Sequence, residues 1–223
     1  MHKNHQKLES KEAILKYWKK VVKSHSPAIR SWIKKENLYL QKNIKKDSIV
    51  LDVGCGIGRN IKAIANIAKK IIGIDNNKRL FKEIKKSLSK FKNVKVFLEE
   101  AQRLHFKNNT FDYAICMGNT FGDFGEDKLK ILKEMQRVTK KGGRIIISVY
   151  SEKALPIRLK EYKKAGMKLE KTSKDGTVVT EEGIITEQFS KRKLQKIFNK
   201  AGLNIKIIKL SSISYLCEAI KKG

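Results

Sequence analysis

The feature that most constrains the fold of this 223-residue chain is a glycine-rich turn between an apolar strand and an apolar helix. Residues 48–53 are predicted to form a short apolar strand, and Gly54, Gly56 and Gly58 follow it at alternate positions. Glycine permits a sharp backbone turn and the close approach of a ligand, and the next helix begins there with unpaired N–H groups. The stretch predicts a strand, a tight turn and a helix that together bind a nucleotide-like ligand.

Strand and helix patterns alternate from Ser48 onward, which predicts parallel βαβ units with right-handed crossovers. The predicted strands occupy residues 48–53, 71–75, 94–98, 111–117, 144–150, 205–210 and 213–220. Few residues separate the last two, so they are expected to form an antiparallel hairpin. The predicted fold class is α/β: a Rossmann-like, mostly parallel seven-stranded sheet with an antiparallel last strand and helices on both faces.

Two further segments flank or interrupt this alternation. Residues 1–46 are predicted to form an N-terminal helical cap of two helices, the second capped by Ser26 and started by Pro27. This cap is expected to pack on the core, to close over the ligand turn as a lid, or to do both. Residues 47–223 then form the main domain, in which 151–189 is a lid-like insertion with one helix and a hairpin around residues 175–176.

The composition is strongly basic, with 51 Lys and Arg against 22 Asp and Glu, a formal net charge of +29. Such a field attracts nucleic acid or anionic metabolites. Only eight of the 51 cations are Arg, and the lysines are spread along every helix, which is typical of a compositional bias. A nucleic-acid partner therefore stays an alternative and not the first interpretation.

Other composition features indicate a soluble cytoplasmic protein. No stretch approaches the roughly 20 apolar residues of a membrane span, and the lysine-rich start lacks the apolar core of a signal peptide. The three cysteines are widely separated and form no Cys-x-x-Cys pair, so they are expected to be free thiols in a reducing compartment. The four histidines show no ligand spacing, and no metal site is predicted.

Acidic residues stand where ligands bind in an open parallel sheet, at the carboxyl ends of strands. Asp52 comes just before the glycines, and Asp75 ends the second strand, 17 positions after Gly58. That distance suits a carboxylate that accepts hydrogen bonds from ribose hydroxyls. The glycines read G-x-G-x-G and not the G-x-G-x-x-G of dinucleotide sites, and no Gly-Lys-Ser or Gly-Lys-Thr closes a P-loop. Asp52 would repel a pyrophosphate and suits a cationic ligand.

Several segments in this order and spacing resemble the class I S-adenosylmethionine-dependent methyltransferases, closely over residues 48–150 and more loosely to 223. The segments are Val50 to Gly58, Ile72 to Asp75, Glu100-Ala101 with Leu104 and Phe106, Asn109 to Asp112, and Arg137-Val138 with Lys141 to Arg144. The resemblance implies that S-adenosyl-L-methionine is the cofactor. It implies that Asp52 holds the methionyl ammonium, that Asp75 takes both ribose hydroxyls, and that Glu100 and Ala101 border the adenine. The family often has Asp where this chain has Glu100.

The predicted site residues fall into three groups. The predicted cofactor-binding residues are Asp52, Gly54, Cys55, Gly56, Gly58, Asn60, Asp75, Asn76, Glu100, Ala101, Gln102, Met117 and Gly118. Asn119, just after the fourth strand, is predicted to orient a neutral amine or hydroxyl at the reacting centre. The candidate substrate-binding residues are Tyr17, Trp18, Phe121 and Tyr150 as walls, and Arg158 and Tyr162 for an acidic acceptor.

The predicted function is methyl transfer to a small-molecule amine, hydroxyl or carboxylate acceptor. No Pro-Cys pair and no Asn-Pro-Pro-Tyr motif is present, which disfavours two common chemistries on nucleic-acid bases. Three alternatives stay open: an RNA methyltransferase, most plausibly for tRNA, that uses the lysine-rich surface; a cofactor-binding partner subunit without turnover; and a nicotinamide oxidoreductase. The oligomeric state is not predicted.

Overall fold

The computed structural model of the chain describes residues 25–181 and 183–222. Its helices are α1 (Pro27–Asn43), α2 (Arg59–Ile64), α3 (Lys78–Leu88), α4 (Lys128–Val138), α5 (Leu155–Ala165) and α6 (Lys191–Lys200). Its strands are β1 (Ile49–Val53), β2 (Lys70–Asp75), β3 (Val94–Leu98), β4 (Phe111–Cys116), β5 (Thr139–Tyr150), β6 (Leu169–Thr172), β7 (Val178–Thr180), β8 (Ile185–Thr186), β9 (Ile205–Ser211) and β10 (Ser214–Ile220). The first predicted helix lies outside the described residues.

A seven-stranded sheet in the order β3-β2-β1-β4-β5-β10-β9 forms the centre of the fold. The first five strands are parallel, and β10 runs antiparallel between β5 and β9. Apolar side chains on the two faces of the sheet form two buried clusters beneath the helices. The predicted α/β fold with an antiparallel last strand is therefore confirmed. The strand order reverses at β1 and β4, so the ligand crevice is expected at their carboxyl ends.

Helix α1 begins where the sequence predicts, because the Ser26 hydroxyl accepts the backbone N–H of Ile29 at 3.4 Å and Pro27 occupies the first turn. Leu40 and Ile44 belong to one of the two sheet clusters. The indole N–H of Trp32 donates to the Ser148 hydroxyl on β5 at 3.0 Å. The described part of the N-terminal cap thus packs directly on the sheet.

Strand β5 is longer than predicted, since it begins at Thr139 and not at Arg144. The segment Lys141-Gly142-Gly143 thus lies within the strand and not ahead of it. There, the N–H of Gly142 donates to the Lys221 carbonyl at 2.9 Å, and the N–H of Lys221 donates to the Gly143 carbonyl at 3.0 Å. The register with β4 shifts between Phe111 and Tyr113, so the glycines lie in an irregularity of the sheet.

The insertion after β5 contains the predicted helix, α5, and the predicted hairpin, in which β6 and β7 pair antiparallel. The structure adds a third strand, β8, which pairs with β7. Its two residues are too few for a strand pattern to be visible in the sequence. Within the described residues, no helix has both the length and the apolar character needed to cross a membrane.

Candidate functional site

The glycine-rich turn after β1 has three residues in the left-handed region, with φ of 67° at Gly54, 52° at Gly56 and 75° at Gly58. A Cβ at Gly54 would lie 2.3 Å from Cγ2 of Thr120, so side chains packed beside the turn require glycine there. At Gly56, no described atom beyond the glycine and its two chain neighbours lies within 4 Å of the place a Cβ would take. The middle of the turn is thus open to an incoming ligand.

Asp75 at the end of β2 braces this turn. Its Oδ2 accepts the backbone N–H of Gly56 at 2.9 Å, and its Oδ1 accepts the N–H of Asn77 at 2.9 Å. Each carboxylate oxygen can accept more than one hydrogen bond, so these contacts are compatible with ribose hydroxyls at the same group. The structure places Asp75 against the glycine turn, as the predicted ligand crevice requires.

Asp52 lies at the carboxyl end of β1 and is 0% exposed. Neither of its carboxylate oxygens accepts a hydrogen bond from a described residue, and Asn60 Oδ1 and Arg59 Nη1 are likewise buried without such a partner. Burial raises the pKa of Asp52 to about 7, although the Arg59 charge and the Asn60 amide act in the opposite direction. A buried, unpaired carboxyl group is costly, so these atoms fit a polar, cationic ligand.

Glu36 on α1 is a site residue that the sequence interpretation missed. Its side chain is 0% exposed, Oε2 lies 2.7 Å from Nη2 of Arg59, and Oε1 accepts the backbone N–H of Gly118 at 2.9 Å. It thereby joins Arg59, the residue after the glycine turn, to Gly118 in the loop after β4. One signal was available: Glu36 stands four positions after Trp32 and four before Leu40, so it shares their buried helix face.

The remaining predicted cofactor residues lie along the same edge of the sheet. The Asn76 amide donates to Oε2 of Glu100 at 3.0 Å, and the Gln102 amide donates to Asp127 at 3.0 Å. Ala101 packs at the margin of a sheet cluster, and Met117 is buried. The N–H of Cys55 donates to the Ile74 carbonyl at 2.9 Å, and burial raises the pKa of its thiol well above the usual value.

Asn119 was predicted to act at the reacting centre, and its contacts require a correction. Its side chain is 2% exposed, Oδ1 accepts the N–H of Tyr150 at 2.9 Å, and Nδ2 donates to Thr186 Oγ1 and to the Glu187 carbonyl, each at 3.2 Å. The amide is therefore occupied by the end of β5 and by the insertion. Asn119 fixes the insertion on the loop after β4, and both polar atoms of its amide are engaged in these contacts.

Arg158 and Tyr162 were predicted to bind an acidic acceptor. Arg158 is 0% exposed, and its guanidinium donates to the carbonyls of Gly176 and Thr186, each at 2.8 Å, and to the Tyr162 hydroxyl at 3.2 Å. It also lies 5.1 Å from the centre of the Tyr150 ring. These contacts hold the three-stranded part of the insertion on α5, which corrects the prediction that Arg158 binds an acidic acceptor.

The predicted aromatic walls have different surroundings. Phe121 is 0% exposed and packs beside Phe124, Phe189 and Phe198, so it is a core residue and not a pocket wall. Tyr150 is half-buried at the end of β5 and its ring centre lies 4.7 Å from that of Trp32. Tyr17 and Trp18 lie outside the described residues.

Asp123, in a 3₁₀ turn after β4, is a second residue that the sequence interpretation missed. Asp123 is exposed to solvent, and desolvation by the neighbouring protein atoms raises the pKa of its carboxyl. A hydrogen bond from Thr186 and the charges of Arg158 and Lys128 act in the opposite direction. Asp123 is therefore an accessible acid at the carboxyl edge of the sheet, next to the insertion.

Comparison with known proteins gives the family. The profile of a family described as "Methyltransferase domain" matches residues 44–202, most of the chain and all of the glycine turn and strands β1 to β5. The chain belongs to the class I S-adenosylmethionine-dependent methyltransferases. The resemblance found in the sequence is thereby confirmed, and S-adenosyl-L-methionine is the cofactor.

Relatives of this methyltransferase include proteins with and without a stated substrate. An uncharacterized protein of Methanocaldococcus jannaschii is 33% identical over 142 residues, which are 62% of this chain and 52% of that protein. The match thus spans about half of that relative. A demethylmenaquinone methyltransferase of Staphylococcus saprophyticus is 29% identical over 193 residues, covering 80% of this chain and 79% of that enzyme.

A solved structure shares the fold of this methyltransferase. It is the 1,6-didemethyltoxoflavin-N1-methyltransferase of Burkholderia thailandensis, with bound 1,6-didemethyltoxoflavin and S-adenosylhomocysteine. The TM-score is 0.71 at 14% identity, covering 100% of this chain and 90% of that one. At this identity the likeness concerns the fold alone.

The residues of the site fit the cofactor of the family. The open space above Gly56 admits a ligand against the backbone. Asp52 offers a buried carboxyl group without a described hydrogen-bond partner, and Asp75 stands at the end of the neighbouring strand. Among the described residues, no group of three or more His, Cys, Asp and Glu has the arrangement of a metal site.

Proposed function

We propose that this methyltransferase acts on a small-molecule amine, hydroxyl or carboxylate, with Asp123 at the acceptor side of the crevice. The observation that carries the proposal is the placement of Asp123: an exposed acid in the 3₁₀ turn after β4, beside Thr186 of the insertion. Such a group can hold a cationic amine or accept a proton from an amine or hydroxyl. The demethylmenaquinone methyltransferase relative is consistent with a small-molecule acceptor.

The cofactor side is proposed to work through the acids and the glycine backbone. Asp75 accepts hydrogen bonds from the ribose hydroxyls, Asp52 stabilises the methionyl ammonium, and Glu100 with Ala101 borders the adenine. The cofactor, when bound, supplies a methyl group activated by a positively charged sulfur. The chain itself aligns the acceptor with that methyl group and keeps water from the crevice, which is the main requirement of a direct displacement.

The insertion supports this alignment. The Asn119 amide joins the loop after β4 to Tyr150 and to residues 186–187, and Arg158 ties the insertion's strands to α5. These buried contacts give the acceptor side a fixed wall.

The three described cysteines are buried free thiols, in keeping with the cytoplasmic location that stays a prediction.

An RNA acceptor is the second candidate, and one observation favours it. A cavity of about 470 Å³ at the start of α6 is lined by Lys153, Lys191, Arg192 and Lys209 together with Glu152, Ser151, Ser190, Ser212 and Tyr215. The four cations outnumber the single carboxylate of Glu152, and with the helix N-terminus they can attract a phosphate of a nucleic acid. A partner subunit without turnover also stays a prediction.

The test separates the acceptor classes and the cofactor site. The purified protein is incubated with methyl-labelled cofactor and either a low-molecular-mass extract or total RNA of the source cells. Label is expected in the small molecules and not in RNA, and Asp123→Asn should lower the rate about 100-fold or more with unchanged cofactor affinity. Asp47→Asn, on the exposed turn before β1, is the control. Label in RNA alone would overturn the proposed acceptor, and loss of cofactor binding in Asp123→Asn would overturn its role.

A further inference from the structure

Helix α1 carries a buried charge into the cofactor crevice. Glu36 is fully buried on this helix. Its charge is not needed to attach α1, because the apolar contacts of Leu40 and Ile44 and the hydrogen bond of Trp32 already anchor the helix to the domain. An apolar side chain would secure the helix at least as well, because burying an ion pair gives little net stability. The carboxylate at this place therefore requires an explanation other than attachment of the helix.

The two oxygens of Glu36 contact opposite sides of the crevice. Oε2 lies 2.7 Å from Nη2 of Arg59, the first residue of α2 after the glycine turn. Oε1 accepts the N–H of Gly118, which follows β4 and has a left-handed φ of 68°. A Cβ at Gly118 would lie 3.0 Å from Nη2 of Arg59, so the guanidinium packs directly on that glycine. Glu36 thus fixes two parts of the crevice relative to each other.

Arg59 keeps capacity for a further anion. Its Nη1 is buried and has no hydrogen-bond partner among the described residues, although Nη2 is paired with Glu36. A guanidinium presents its N–H groups in a rigid fork, so fixing one nitrogen also fixes the direction of the other. The Asp52 carboxyl, which suits the ammonium of the cofactor, is close enough for the Arg59 charge to act on its pKa. The carboxylate of the same amino-acid group would then meet Arg59.

We propose that Glu36 is a positioning residue for the cofactor: it holds Arg59 so that the guanidinium receives the methionyl carboxylate, and it thereby couples α1 to the amino-acid end of the cofactor. Neither Glu36 nor Arg59 touches the transferred methyl group in this proposal. The consequence is specific, because a ligand without the amino-acid end has nothing for Arg59 to bind. The helix then responds to the amino-acid part of the ligand and not to the adenosine part.

The experiment compares two ligands by isothermal titration calorimetry. S-Adenosylhomocysteine has the amino-acid end, and 5′-methylthioadenosine lacks it. Glu36→Gln should raise the Kd of S-adenosylhomocysteine about tenfold and leave that of 5′-methylthioadenosine within roughly twofold. Arg59→Gln should show the same selectivity, and the double variant should bind no more weakly than Arg59→Gln alone. Glu170→Gln removes one exposed carboxylate from β6 and is the matched control.

The result that overturns the proposal is an equal loss for both ligands, which indicates a structural role, or an unchanged Kd for S-adenosylhomocysteine. A second measurement uses only the wild-type chain, so it tests the proposal even if a variant fails to fold. Hydrogen exchange at the backbone amides of residues 29–43 should slow when S-adenosylhomocysteine is added and should not change with 5′-methylthioadenosine. Equal protection by both ligands, or protection by neither, contradicts the coupling of α1 to the amino-acid end.

Discussion

Replacing Asp52 by Asn should stabilise the cofactor-free protein and weaken cofactor binding. The pKa of this fully buried carboxyl rises from 3.8 to about 7, a shift worth about 4 kcal/mol against the ionised form. Part of the gain is lost because a buried amide also lacks partners, so we expect about 2 kcal/mol in the free energy of unfolding by urea at pH 8. Because the folded pKa is the higher one, the stability of the wild type should fall as pH rises from about 4 to 7, and the gain from Asn should shrink at pH 5.

The same carboxyl should release a proton when the cofactor binds. At pH 6 a group with a pKa of about 7 is about nine-tenths protonated, whereas a carboxylate paired with the methionyl ammonium is ionised. Calorimetric titration in buffers of different ionisation enthalpy should therefore show about 0.9 proton released per cofactor at pH 6 and much less at pH 8. The Asp52→Asn variant should abolish this release. A release below roughly 0.2 proton in the wild type, or the same release in the variant, would refute the assignment of Asp52.

Three further predictions concern the turn, the insertion and the charged surface. A Cβ at Gly54 would lie 2.3 Å from Thr120, so Gly54→Ala should lower the free energy of unfolding by about 3 kcal/mol. Gly56 has open space beside it, so Gly56→Ala should lower the free energy of unfolding by only about 1 kcal/mol. The Gly56→Ala variant should still weaken cofactor binding more than tenfold. Arg158→Met should cost about 3 kcal/mol and speed hydrogen exchange in residues 169–186, with the exposed Arg192→Met as the control. RNA binding, measured by filter retention, should fall to background between 50 and 200 mM salt, since it rests on charge alone.

Each of these predictions has an outcome that contradicts it. Equal losses of stability at Gly54 and Gly56 would show that the packing of Thr120 is not the cause. Unchanged exchange in the insertion of Arg158→Met would show that the guanidinium does not hold those strands. Tight RNA binding that persists at 200 mM salt would favour the RNA acceptor.

The sheet was predictable because the sequence pattern of several of its strands is clear. Strands β1, β2 and β4 are short, almost wholly buried apolar runs, and β1 and β2 end in or beside an acid. Such runs, separated by helical patterns, leave few topologies other than a parallel sheet. The places of Asp52, Asp75 and the glycines at the carboxyl ends of strands were predictable, because a strand and the turn after it are encoded within a few residues.

The acceptor side was less predictable because its contacts join distant parts of the chain. The Asn119 amide bonds to residues 67 and 68 positions later, and Arg158 bonds to residues 18 and 28 positions later. The sequence alone does not distinguish a polar side chain with such distant structural partners from one that contacts a substrate. Glu36 shows the converse: its position between Trp32 and Leu40 on a buried face was visible, but its partners Arg59 and Gly118 were not.

The place of β10 in the sheet affects the order in which the protein can be completed during synthesis. This strand lies between β5 and β9, and β9 pairs with the sheet through β10 alone among the described strands. A ribosome releases residues 214–220 after every other described strand, so until then β5 stays an open edge and β9 has no strand to pair with. Open edges are sites of wrong strand pairing. In a nascent chain of this methyltransferase, the glycine turn is therefore synthesised long before the sheet can be completed.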